Sequence, residues 1–265
     1  MKKVVLFLCF IVLCAGSAWA KEQCFIAKEN SKILQSEGDC TVPYTPESTF
    51  KIALSLIGFD SGILKDETHP SWSLPTGTDH YISVCKGDHN PKTWLRDSCL
   101  WYSRILTTKL GSEKFQDYVT KFAYGNMDVS GDKGQNNGLT HAWILSSSLK
   151  ISPEEQTIFL QKLVDHKLPV SKASYDKTKK IMFIQELSGG WKLYGKTGNG
   201  LLRDKDDNKT DLQHGWFVGY IEKGNRKIVF ASHITDDEKQ NIFASFRARN
   251  EALNKLWYLI NELEK

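Results

Sequence analysis

Lys196-Thr197-Gly198 occurs once in the chain, and it lies downstream of Ser48-Thr49-Phe50-Lys51, a Ser-x-x-Lys that opens an apolar run. Neither motif decides much by itself. Ser-x-x-Lys also starts at Ser83, Ser130, Ser147 and Ser174. Lys-Thr-Gly has a chance expectation of about 0.1 in a chain this long, so it too needs structural context. The contexts differ. Residues 48 to 59 carry Phe50, Ile52, Ala53, Leu54, Leu56, Ile57 and Phe59, a density that predicts a buried helix rather than an amphipathic surface one. Trp191 to Gly198 reads as a strand.

Around these two anchors the rest of the order follows. Residues 23 to 28 read as a short strand, followed by a loop with Pro43 and Pro46. Apolar spacing predicts helices over 98–110 and 112–122. Ser152-Pro153-Glu154-Glu155 supplies a cap, a proline at the first helical position and early acids, so 153–166 is a helix. Gly125 to Gly138, rich in Gly, Asn and Asp, is loop. Residues 203–211 form a charged turn, 215–221 and 227–232 are strands joined antiparallel by short connections, and 239–263 is a closing helix. Helices between a first strand and a terminal meander predict an α/β fold. It has an antiparallel sheet flanked by helices, plus a helical lobe over roughly 60–178 against a sheet lobe of 21–59 and 179–265. The crevice between them is the default site.

Residues 1–20 read as a secretory signal peptide: Lys2 and Lys3, an apolar run from Val4 to Cys14, then Ala18-Trp19-Ala20. The run is short for a membrane span, so a soluble, periplasmic chain of residues 21–265 is expected, without a stable membrane anchor. The formal charge of +4 falls to +2 without the two signal lysines. Bases and acids alternate, as in Lys205-Asp206-Asp207, so no nucleic-acid surface is expected. Cys24, Cys40, Cys85 and Cys99 remain after cleavage. Export permits disulfides, and Cys24 and Cys40 are close enough to staple an N-terminal hairpin. Cys99 is either a partner or a buried thiol. His141, His166, His214 and His233 are scattered, and no spacing resembles a metal site.

The order Ser-x-x-Lys, Ser triplet, Lys-Thr-Gly is that of serine acyl-enzymes that open β-lactams or process cell-wall peptides. Ser48, at the first turn of a helix, would be the nucleophile. Lys51 is three residues on, on the same face. As an ammonium it is no base, so it must be neutral or chemically altered, and an apolar surround would lower its pKa. Lys196 supplies positive charge on the strand, Thr197 a hydroxyl for a substrate carboxylate, and Gly198 room for close approach. The N–H groups of Ser48 and Asn199 could polarise the acyl carbonyl.

Pro46-Glu47-Ser48-Thr49-Phe50-Lys51, Tyr124-Gly125-Asn126 and Tyr194-Gly195-Lys196-Thr197-Gly198 together resemble the class D β-lactamases. So do Asn136 to Thr140, Trp143, Leu149 to Glu155 and His214-Gly215-Trp216. The resemblance implies a β-lactamase / penicillin-binding transpeptidase-like fold, a β-lactam substrate, antibiotic resistance, and no metal or cofactor beyond a CO2-derived carbamate on Lys51. It implies that Trp143 donates its indole N–H to that carbamate, and that Ser98 moves protons near the lactam nitrogen. Asp97-Ser98 also fits a helix N-cap. A non-hydrolysing β-lactam sensor or penicillin-binding protein acylated on Ser48 is the alternative, and a monomer or weak homodimer is expected.

Two departures stand out. The family's Ser-x-Val is Ser98-Cys99-Leu100 here, with the bulkier Leu100 expected beside the carbamate. Arg247 and Arg249 lie further into the last helix than the family's carboxylate-binding arginine, so Thr197 with Ser245 is expected to take that role. Tyr124, Gly125 and Asn126 are expected to shape their loop.

Overall fold

The computed structural model describes residues 21–77, 83–206 and 208–265. The signal-peptide reading of residues 1–20 lies outside them. Six strands form one antiparallel sheet in the order β2-β1-β6-β5-β4-β3. The strands are β1 (Lys21–Glu29), β2 (Lys32–Gly38), β3 (Phe183–Glu186), β4 (Lys192–Arg203), β5 (Lys209–Lys223) and β6 (Arg226–Thr235). The first strand therefore pairs with the last, with Phe25 opposite Ser232 and Ala27 opposite Phe230. Asn30 and Ser31, both with positive φ, make the tight turn between β1 and β2, as a two-residue hairpin loop requires.

The central strand reads as apolar on both faces because both are covered. Phe217 and Ile221 of β5 pack with Phe25, Phe230, Leu256 and Ile260, the last two from the closing helix α8 (Ala244–Leu263). Trp216, Val218 and Tyr220 point the other way, into the larger core under the remaining helices. These are α1 (Lys51–Asp60), α2 (Pro91–Asp97), α3 (Leu100–Leu110), α4 (Ser112–Phe122), α5 (Gly138–His141), α6 (Pro153–Val164) and α7 (Lys172–Met182). All of them lie in sequence between β2 and β3.

Helix α1 is the buried element that the apolar density demanded: every residue from Lys51 to Phe59 is buried. Leu54, Leu56 and Ile57 are fully enclosed, each worth about 2 kcal/mol by the area it removes from water. Helix α6 starts where its caps place it. Ser152 Oγ accepts from the Glu155 N–H, and Glu155 reaches back to the Ser152 N–H at 2.7 Å.

Three expectations are corrected. Residues 48–50 are not α-helical but part of a 3-10 turn, Glu47–Phe50, that precedes α1. Ser98 is not a helix N-cap: it ends α2 in the left-handed region (φ 65°), its N–H bonded to Trp94 O, and Cys99 stands at the N-cap position of α3. Strands β4 and β5 run on to Arg203 and from Lys209, which shrinks the charged turn to a few residues.

Cys24 pairs with Cys40 as the hairpin reading expected, and Cys99 pairs with Cys85 rather than remaining a thiol. The second disulfide spans 14 residues and anchors the segment that delivers Ser98. A loop of that size stabilises by about 3 kcal/mol in the chain-entropy picture. Replacing both Cys85 and Cys99 by Ser should lower the urea midpoint accordingly. An unchanged midpoint would mean that the cross-link does not constrain the unfolded chain.

Candidate active site

Strand β3 covers β4 only as far as Tyr194. Beyond that point the Ser48 turn lies against β4 in place of another strand. At Gly198 a Cβ would come within 2.9 Å of Pro46 O and 3.2 Å of the Ser48 N. Glycine is what lets the backbones approach this closely. This places the Ser48 hydroxyl and the Lys196-Thr197-Gly198 strand edge at one locus.

The turn is held from below. Glu47 N donates to Trp143 O at 2.9 Å and Thr49 Oγ1 to Pro46 O at 2.6 Å. Buried Gln156 of α6 donates to Thr49 Oγ1 at 3.1 Å and to the Tyr124 hydroxyl at 3.2 Å. Tyr124 thus sits behind the turn, its ring 5.1 Å from Phe50. Asn126 stitches the loop through Ser148 O and the Lys150 N–H.

Lys51 Nζ lies 2.9 Å from Ser48 Oγ. Lys51 is 1% exposed. Burial holds its pKa well below the usual lysine range. Repulsion from Lys196 adds to the shift, and Glu47 opposes it. Trp143 is fully buried against Phe50, the residue before Lys51, and Phe115, yet its indole N–H has no partner. An orphaned donor of this kind costs about 1–3 kcal/mol. Burial thus favours the uncharged form of Lys51, and the Trp143 N–H is a buried donor without an acceptor.

Lys196 Nζ lies 2.5 Å from Ser98 Oγ and 3.1 Å from Thr197 O. Burial brings the pKa of Lys196 down to about 7, against the attraction of Asp97. Asp97 itself is held by the Arg96 fork at 2.7 and 2.8 Å. The left-handed geometry of Ser98 aims its hydroxyl at β4, and Leu100 follows, half-buried against the main core.

Asn199 closes the far end. Its Oδ1 accepts from the Ser245 N–H at 3.0 Å and its Nδ2 donates to Gln213. Ser245 lies at the first turn of α8 and is 5% exposed. Arg247 is turned away, paired with buried Asp236 at 2.6 Å. Every residue of the expected site except Leu100 and Trp143 thus touches another of its members, and Trp143 joins through the backbone of Glu47. The spacing of residues did not disclose Gln156, Gln213 or the buried partners of Glu47. Gln156 had a signal, a long polar side chain on the apolar face of a well-capped helix. Cys85, His89 and Cys99 also cluster, but the disulfide consumes both sulfurs.

Sheet, helices and site define a class. The penicillin binding protein transpeptidase domain model matches residues 20–257. Over 241 residues the chain is 43% identical to beta-lactamase OXA-1 of Escherichia coli, covering 89% of this chain and 84% of that protein. The crystal structure of the OXA-427 class D beta-lactamase superposes with a TM-score of 0.85 at 41% identity, covering 91% of this chain and 99% of that one. The C-terminal domain of the Bacillus licheniformis BlaR penicillin receptor gives 0.74 at 26% identity, covering 88% of each. The chain belongs to the penicillin-binding transpeptidase family and, within it, to the class D β-lactamases, which are hydrolases.

The Lys196 ammonium is lost from the folded protein near pH 7 but from the unfolded chain only near 10.5. Between those values the unfolded state binds the extra proton, so stability rises with pH through this window. Urea unfolding at pH 6 and pH 9 should therefore show the wild type gaining about 3 kcal/mol relative to Lys196→Met. No gain would mean that Lys196 stays charged in the fold.

Proposed function

We propose that this chain is an exported β-lactamase that hydrolyses the lactam amide through an ester on Ser48. The observation that carries the reading is the 2.9 Å approach of a buried, base-shifted Lys51 to the Ser48 hydroxyl. Ser48 Oγ attacks the lactam carbonyl carbon as its proton passes toward Lys51, and the oxygen of the tetrahedral adduct sits against the N–H groups of Ser48 and Asn199. The carbon–nitrogen bond then breaks, and the leaving nitrogen takes a proton from Ser98, which Lys196 replenishes. Thr197 and Ser245 bind the substrate carboxylate, with Gly198 leaving room beside them, and Leu100 lines the pocket near Lys51. Water then adds to the ester and releases Ser48.

Hydrolysing the ester needs a base that stays unprotonated near neutral pH and can hold a water, which a lone amine hydrogen-bonded to the serine supplies poorly. A neutral lysine in such a pocket can add to carbon dioxide, forming an N–C bond and losing a proton. The residues present fit that group: burial favours the uncharged amine, and the buried Trp143 N–H is without an acceptor. When bound, the carbamate supplies a carboxylate-like base at the tip of Lys51.

Two disulfides among the described residues support an oxidising, exported destination. No helix among those residues is long and apolar enough to cross a membrane. The receptor likeness supports one alternative, a domain that is acylated and stays so.

Turnover of a chromogenic cephalosporin by residues 21–265, with and without bicarbonate, separates the readings. Bicarbonate should restore activity after acid treatment, because a protonated Lys51 cannot take up carbon dioxide. Lys51→Ala should cut turnover by about 10²–10⁴-fold. One equivalent of product followed by silence, with mass retained on Ser48, would establish the receptor reading instead.

A further inference from the structure

Glu47, immediately before Ser48, takes φ +52°, an uncommon conformation for a residue with a side chain. Its carboxylate is buried, and His214 Nε2 lies 3.5 Å from Oε1, which has no hydrogen-bond partner among the described residues. His214 is also buried, and its Nδ1 lies 3.2 Å from His233 Nε2. The His233 ring is enclosed between Tyr44 and Trp216, each centroid 4.1 Å away. A polar chain thus runs from the residue beside Ser48 to β5 and then β6, through an otherwise apolar interior.

One arrangement of protons serves this chain. His214 turns an Nε2–H to the Glu47 carboxylate, leaving its Nδ1 lone pair to accept from the His233 Nε2–H. His233 Nδ1 is then a bare lone pair, and it is the ring atom without a partner. Burial and the neighbouring His214 both keep His233 neutral. Strand β4 is cut away to admit the pair: a Cβ at Gly200 would lie 2.3 Å from His214 Nε2 and 2.4 Å from Glu47 Oε1.

A buried carboxylate whose Oε1 has a long contact to His214 and no hydrogen bond is a poor source of stability, because its desolvation is weakly compensated. Its location gives it a different use. We propose that Glu47, oriented by the His214–His233 pair, is a positioning residue that fixes the Ser48 turn so that the hydroxyl faces Lys51. It acts through Ser48 and does not touch substrate. Backbone ties at Trp143 O and the Trp216 Nε1–Thr45 O bond hold the same segment from other sides, so the turn can fold without the carboxylate while losing its register. The inference rests on the Ser48–Lys51 reading of the function.

Glu47→Leu and Glu47→Gln separate positioning from mere structure. Glutamine keeps an acceptor for His214, and leucine keeps only the volume. The acylation rate, read by stopped-flow with a chromogenic cephalosporin, should fall about 10- to 100-fold in Glu47→Leu. KM should stay within about 2-fold, the melting temperature should hold or rise, and glutamine should recover most of the rate. A folded Glu47→Leu that acylates at the wild-type rate overturns the proposal. Should the leucine variant not fold, nitrogen NMR of the wild-type histidines decides: protons on Nε2 of both rings support the chain, and a proton on His214 Nδ1 overturns it. Wild-type protein that is not acylated at Ser48 defeats the proposed function and takes the positioning role with it. Normal wild-type acylation with an indifferent Glu47→Leu defeats only the latter.

Discussion

An amine buried without a carboxylate in ion-pair contact is the constraint around which this molecule is arranged. Lys51 is 1% exposed and lies at the start of a helix whose next eight residues are also buried. A charged ammonium there would forfeit its hydration with little return. Burial accordingly holds the pKa of Lys51 well below the usual lysine range, which favours the uncharged amine. The same burial supplies nucleophilicity, proximity to Ser48 and exclusion of competing water. None of these could be kept if the surrounding apolar residues were opened to solvent.

The second lysine makes the first effective. Lys196 is buried as well, and its repulsion lowers the pKa of Lys51 further. Asp97 pulls the other way on Lys196, which stays near pH 7 rather than falling further. Two amines of like origin are thereby given different surroundings, one beside Ser48 and one beside Ser98. Glu47 enters the same balance from beneath, opposing the shift on Lys51. The site is therefore a graded field of charges rather than a pair of independent catalytic groups.

What could be read from the sequence follows from how each feature is encoded. Helix α1 and the β4–β5–β6 meander announce themselves through contiguous apolar runs, and α6 through its cap. Strand β2 is exposed along most of its length, so it lacks the alternation that marks a half-buried strand. Strand β3 is four residues on a sheet edge. Helix α2 has a start signal in Asn90-Pro91, with Asn90 and Thr93 forming a capping box, but its end coincides with the serine triplet, where Asp97-Ser98 also has the composition of a helix start. Ser48 and Lys51 were legible because helical geometry joins neighbours in sequence. Glu47, His214 and His233 were not, because only sheet register and the packing of the Ser48 turn bring them together.

The delivery of Ser98 shows how a reactive hydroxyl can be placed by the end of an element rather than by its interior. Helix α2 stops with Ser98 in the left-handed region, and the next residue is locked to Cys85. Cys85 O in turn accepts from the Trp101 indole at 2.9 Å, and Trp101 packs beside Tyr102 in the core under α3. The serine is thus fixed from both sides along the chain, by the last turn of one helix and the anchored first turn of another. Displacing its backbone would strain the Cys85–Cys99 bond or the packing of Trp101 on Tyr102. Leu100 occupies the first position of the second helix, so its bulk is absorbed into a rigid frame.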